Sequence, residues 1–247
     1  MKKIYIIWLR EIKKYLRSKS RIVGSLGMPL LYLIVLGFGL NSFLNLKGGN
    51  YISFIFPGII AMTILFTSMF SGISVIWDKQ FGFLKEMLVA PVSRTEIMLG
   101  KTLGGATTAV IQGILVLLIS FLIGLRVQSL IGFLIALVFM ALLGVTFTAL
   151  GLSFASRMED MQAFPIVMNF VVMPLFFLSG ALFPIKGAPD ILRIISFFDP
   201  MTYGVEGLRY GLAGVSSIPL WIDFSVLSLF AVVIIFIGAF LFNKTSV

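Results

Sequence analysis

Six apolar runs constrain this chain more than any other feature: Ile22–Leu44, Tyr51–Trp77, Thr102–Leu125, Leu130–Ser156, Ala163–Ile185 and Ile218–Phe242. Each exceeds the ~18–20 residues that a helix needs to cross a bilayer. Five hold no Asp, Glu, Lys, Arg or His, and the sixth has only Asp223, near one end. In hydrocarbon a backbone must satisfy its own hydrogen bonds, which selects helices for such runs. Charged residues make up 12% of the chain, about half the roughly 25% of a soluble domain, too few to cover a water-facing surface. The expectation is an all-α integral membrane protein of six transmembrane helices, with residues 1–247 forming one transmembrane domain.

The charges that exist give the orientation. Eight of the nineteen basic residues fall in the first 21 positions. With the N-terminus inside, the inner segments (1–21, 78–101, Arg157 and Lys244) hold fourteen basic residues, against Lys47, Arg126, Lys186, Arg193 and Arg209 outside. An excess of Lys and Arg marks the cytoplasmic side, so both termini are expected there. The net charge of +9 then reads as topology and attraction to anionic membrane lipid, not as nucleic-acid binding.

Residues 1–20 read as an interfacial helix. At 100° per residue, Ile4, Tyr15, Trp8, Ile12, Tyr5, Leu16 and Leu9 share one arc, and Lys2, Lys13, Arg17, Arg10, Lys3 and Lys14 the opposite one. The apolar run that follows is too long for a signal peptide and leads to no small-residue cleavage site. On the outer side, Lys186–Pro219 is rich in apolar residues and divided by Pro189 and Pro200. It reads as two short amphipathic segments, lying on the outer interface or dipping back into the membrane where protein shelters the backbone.

Chemistry is scarce. Without Cys or His the chain lacks thiolates, the commonest metal ligand and the commonest general base, and no catalytic or metal-binding residue is expected. Ion-driven carriers place ionisable groups at membrane depth; these spans offer none, so energy is expected to enter from outside the bilayer. Gly100-Lys101-Thr102 resembles the end of a phosphate-binding loop, but Thr95 stands where the first glycine is required and no strand precedes it. Lys101 reads as an anchor for the inner end of the third span. Polar side chains within spans mostly bond to neighbouring helices; Thr67, Gln112 and Asn169 are the candidates for a substrate path. Gly105, Ala109 and Gly113 form a ridge suited to close helix approach, and Pro29, Pro57, Pro165 and Pro174 predict kinks in the first, second and fifth spans.

The one charged island between spans is Asp78–Lys101. Phe81, Leu84 and Leu88 recur at helical spacing, Pro91 ends that helix, and Ser93-x-x-Glu96 has the form of a capping box opening the next. A short helix projecting into the cytosol from two spans is a place where a soluble partner could take hold.

The run Phe83-Leu84-Lys85-Glu86-Met87-Leu88-Val89-Ala90-Pro91-Val92-Ser93-Arg94, followed by Gly100-Lys101, resembles the cytoplasmic motif of ABC type-2 transporter membrane subunits. A second similarity lies in Phe177-Leu178-Ser179-Gly180-Ala181-Leu182-Phe183-Pro184 and in Asp199-Pro200-Met201-Thr202-Tyr203, with Arg209 soon after. Lys85 before Glu86, Met87, and Asp199 where Asn is frequent are mild departures. The resemblance covers the whole chain, in order.

It implies a permease half of an ATP-driven exporter in a prokaryotic cytoplasmic membrane, paired with a second copy as a homodimer or a related heterodimer. Two cytoplasmic ABC ATPase subunits would bind the ATP and Mg, leaving this chain with no cofactor. Phe81, Leu84, Glu86, Leu88, Pro91, Ser93 and Arg94 would belong to the coupling helix, residues 78–95. The N-terminal helix and the Arg157–Gln162 turn would add contacts. Pro184, Asp199, Pro200, Tyr203 and Arg209 would shape outer re-entrant helices. The uncharged path favours an amphipathic or apolar cargo moving outward. Two other readings are a lipid-modifying membrane enzyme, using outer acids such as Asp199, and a non-transporting scaffold or sensor subunit.

Overall fold

The computed structural model describes residues 2–39, 51–89, 91–125, 127 and 129–243, and among them there is no strand. The outer end of the first apolar run, together with Lys47, Arg126 and Lys244, lies outside the described residues.

Helix α1 (Lys2–Arg17) is followed by α2 (Lys19–Tyr32), which widens into a π-helical stretch at Leu33–Phe38. The axis turns by 73° between Lys2–Arg17 and Ile22–Gly37. Next come α3 (Tyr51–Ser71) and α4 (Ile73–Gln80), two parts of one span. The helix runs through Pro57 and breaks at Gly72, where a Cβ would fall on the Gly151 carbonyl. The short α5 (Phe83–Val89) precedes α6 (Arg94–Ile123) and α7 (Leu130–Arg157), which pack as a hairpin. Among the described residues five helical stretches are long and apolar enough to cross a membrane, or six if the bent α1–α2 pair is counted as one.

The helix ends follow from local chemistry. Ser93 opens α6 with the expected capping box: its hydroxyl accepts from the Glu96 N–H at 3.2 Å, and the Glu96 carboxylate accepts from the Ser93 N–H at 2.8 Å. At the other end Gly124 takes φ 119°, a left-handed turn that costs glycine little. Ser129 caps α7 by accepting from Gly132 N–H at 3.0 Å.

The fifth span, α8 (Met161–Leu178), is irregular throughout. It opens as a 3-10 turn and carries a π-helical stretch at Met168–Val172 between Pro165 and Pro174. Each proline removes a backbone donor, and the wide turn between them absorbs the lost pairing. The helix stops at Leu178, seven residues before the expected end at Ile185. Ser179–Pro184 instead forms a folded turn with Gly180 at φ 75°. Its Ala181 and Leu182 are buried against α3, where the Tyr51 hydroxyl donates to the Leu182 carbonyl at 3.0 Å, while Phe183 stays exposed. Apolarity there serves protein packing, which a hydropathy pattern reads as more span.

Two helices fill the outer connection, as Pro189 and Pro200 suggest: α9 (Asp190–Phe197) and α10 (Pro200–Ala213), before the last span α11 (Leu220–Asn243). The apolar residues of α9 face outward, while nearly all of α10 is buried against α7, α11 and α3. Three glycines make that fit. A Cβ at Gly204 would overlap Leu143, one at Gly207 would overlap Phe139, and one at Gly211 would fall on the backbone of Gly132 and Ala136. Leu143 lies about 20 Å along α7 from its outer end at 1.5 Å per residue. The N-terminal end of α10 therefore packs beside the middle of α7, and the helix runs back along it towards Gly132.

Candidate functional site

The tip expected on the cytoplasmic side is α5 with its flanks. Lys79, at the foot of α4, donates to the Ser156 carbonyl at 2.5 Å and the Met158 carbonyl at 3.3 Å, closing the end of α7. Gln80 donates to the Glu159 carbonyl at 3.0 Å. Gly82, at φ 78°, then turns the chain into α5.

Helix α1 holds the other side of the tip. Lys3 donates to the Pro91 carbonyl and lies 4.0 Å from Glu96. The Arg10 guanidinium sits 5.8 Å from the Phe83 ring centre and 3.5 Å from the Met87 sulfur. Between these elements opens a groove of about 440 Å³ bounded by Lys3, Ile6, Arg10, Phe83, Glu86 and Val92 among others.

Of the expected coupling residues, Phe81 is 64% exposed and stands in the turn before α5, not on it. Glu86 and Pro91 are exposed, and Ser93 is the cap described above. Arg94 points back to the membrane domain, donating to the Asn243 carbonyl at the end of α11 at 2.8 Å. Leu84 and Leu88 lie on α5, with side chains outside the described part. The pattern missed Phe83 and Val89, 48% and 88% exposed. Three exposed apolar side chains on a segment between spans form a patch of the kind that partners cover.

Behind the tip lies a buried ionic cluster. Lys101 Nζ is 2.5 Å from Asp78 Oδ2, 3.4 Å from Glu11 Oε1 and 3.3 Å from Ser74 Oγ, and Arg10 lies 3.7 Å from Asp78 Oδ1. The Lys101 and Asp78 side chains are 1% and 3% exposed. Lys101 is thus the expected anchor, and it joins three helices. Its amine is occupied and Gly100 is covered by Ile7, so Gly100-Lys101-Thr102, lying inside α6, has no room for a phosphate. Glu11 escaped the sequence reading because it stands among residues sorted only as basic or apolar.

The path candidates separate. Asn169 is exposed on the π-helical stretch of α8 beside Phe170, and Thr67 is half-buried on α3. Gln112 is fully buried, accepting from the Tyr15 hydroxyl and donating to the Ile22 carbonyl at 3.3 Å. Its polarity serves helix bracing, which corrects its assignment to an open path.

On the outer side, the residues of the second motif meet around α10. Asp199 caps the helix, accepting from the Met201 N–H at 2.8 Å, and Pro200 occupies the first turn. The Tyr203 hydroxyl donates to the Phe197 carbonyl at 2.7 Å, tying α10 to α9. Arg209 pairs with Glu206, donates to the Gly180 carbonyl at 2.9 Å and lies 4.0 Å from the Phe54 ring centre. Glu206 also accepts from the Ser216 hydroxyl at 3.1 Å and the Ser217 N–H. Pro184 stands at the exposed edge, before a 3-10 turn. Spans counted alone suggest a protein interior without ionisable groups; α10 buries Asp199, Glu206 and Arg209 within it.

Comparison with known proteins agrees with this layout. The family model described as ABC-2 type transporter matches residues 2–213. An inner membrane transport permease of Escherichia coli K12, YadH, is 31% identical over 92% of this chain and 89% of its own. The putative transport permease ycf38 of Pyropia yezoensis is 34% identical over 81% of this chain and 70% of its own. Nodulation protein J of Rhizobium leguminosarum bv. viciae is 25% identical over 92% and 88%. With a family match over most of its length and a relative 31% identical across nearly all of both chains, this chain belongs to the ABC-2 type transporter family of membrane permeases.

Proposed function

We propose that the chain is the membrane half of an ATP-driven exporter, moved by a separate cytoplasmic ATPase that docks on residues 81–94. The observation that carries this reading is the exposure of three apolar side chains, Phe81, Phe83 and Val89, on a segment that α1 grips through Lys3 and Arg10. A tip that merely connected two spans would gain nothing from apolar groups facing water; a docking surface gains buried area and a defined fit. The bracing matters as much, because a flexible loop would absorb a push that a fixed tip transmits.

A second copy of the chain completes the machine. Asn169 supports this: an amide facing hydrocarbon loses its hydrogen bonds, so its exposed position beside Phe170 suits a wall that another copy faces. The cargo path then runs along that face with Thr67, and its mostly apolar lining suits an amphipathic or apolar molecule.

The test is association. Chain purified in mild detergent should carry an ABC ATPase, identified by mass spectrometry and by ATP hydrolysis. Val89→Asp combined with Phe81→Asp should remove that ATPase at least tenfold while membrane insertion and detergent elution stay unchanged. Full retention of the ATPase by this variant would move the docking surface elsewhere.

A further inference from the structure

Polar contacts hold α1 to the rest of the chain in three tiers, with a further bond donated by Trp8 Nε1 to Thr107 Oγ1 of α6 at 3.0 Å. At the lowest, Lys3 and Arg10 hold the coupling tip through the Pro91 carbonyl, the Phe83 ring and Met87. In the middle, Glu11 shares Lys101 with Asp78, joining α1 to α6 and α4. At the top, Gln112 of α6 accepts from Tyr15, before the 73° corner, and donates to Ile22, after it. One fully buried amide therefore fastens both arms of the bend that leads into the first span. Small residues close the gap between tiers: Gly100 lies under Ile7, and Gly104 under Glu11 and Trp8.

A helix that only floats on lipid needs none of this. Burying Lys101 with two carboxylates carries a desolvation cost that apolar packing would avoid, and a corner left free would let the first span swing independently of the tip. The fasteners remove both freedoms.

We propose that α1 is a rigid strut, with Glu11, Lys101, Tyr15 and Gln112 as positioning residues, through which displacement of the coupling tip moves the first span. This rests on the reading of residues 81–94 as the ATPase docking surface. The first span thereby answers to the ATPase by a route separate from α4, and the corner at residues 17–22 stays closed during the motion.

The absence of native cysteine makes the test direct. Spin labels at Val23→Cys in the first span and Leu229→Cys in α11, both exposed, report the movement in the complex with its ATPase in lipid nanodiscs. The distance should shift between the nucleotide-free and ATP-trapped states. In Tyr15→Phe/Gln112→Leu, which keeps side-chain volume, the shift should vanish while ATPase binding and hydrolysis persist. Glu11→Gln, which leaves Lys101 paired with Asp78, should weaken the coupling about 2- to 30-fold, the range for residues along such networks. A full shift in both variants overturns the strut. A wild-type complex in which the ATPase binds and the first span stays still also overturns it, and leaves the docking surface intact. A wild-type chain that binds no ATPase overturns the docking surface instead.

Discussion

Lys101 shows how one side chain can be assigned correctly and its role still be underestimated. Sequence spacing rejects it as a phosphate ligand because Thr95 replaces a required glycine, and makes it an anchor for the third span. Its two carboxylate partners come from elements 23 and 90 positions away, separations that no local pattern encodes. Removing one member of a buried ionic cluster leaves the others uncompensated, which typically costs about 3–5 kcal/mol. Lys101→Met should therefore lower the midpoint of thermal unfolding in detergent sharply. Lys3→Met, on a half-exposed pair, should shift it little, because exposed ion pairs contribute about 0–1 kcal/mol. Asp199 gives the converse lesson. One of its oxygens caps α10, while the other is buried with no hydrogen-bond partner among the described residues. An amide would serve the cap equally well without the charge.

At the scale of elements, hydropathy and proline position carry far. They yield the spans, the short helix ended by Pro91, the capping box at Ser93 and the division of the outer connection at Pro189 and Pro200. What they miss shares one cause: apolar residues buried by protein look like apolar residues buried by lipid. That extends the fifth span beyond Leu178, and it leaves open whether α10 lies on the membrane or enters it. The glycines of α10 are the missing signal. Gly204, Gly207 and Gly211 repeat every three to four residues, and each meets α7, the small-residue geometry by which helices associate where lipid offers no hydrophobic drive. Gly207→Val should push α10 away from Phe139. Overpacking of this kind usually costs about 1–3 kcal/mol, and thermal unfolding in detergent should show it. Leu192→Val, on the outward face of α9, should leave the midpoint unchanged. The π-helical stretch of α8 was legible only as proline kinks, since widening depends on how the freed carbonyls are repaired.

Across the whole molecule, the two ends are built differently. The end that carries α5 is polar and held by α1, α4 and α6. At the other end α10 packs among the spans, and its Glu206–Arg209 pair ties it to the turn after α8 and to Phe54. The helices between carry little charge and pack through small residues, as suits parts that shift against one another. The short helix between spans was legible from charge and from Pro91. The exposure of Val89 and Phe83 was not, since they look like the buried side of a short helix until the surrounding elements are in place. The most direct measurement places a photo-crosslinking amino acid at Val89 in cells, with the same group at Ile191 on α9 as the outer reference. Docking of an ATPase on residues 81–94 predicts a covalent adduct with an ABC ATPase from position 89 and none from position 191. Absence of that adduct at 89, with the chain inserted and stable, would contradict it.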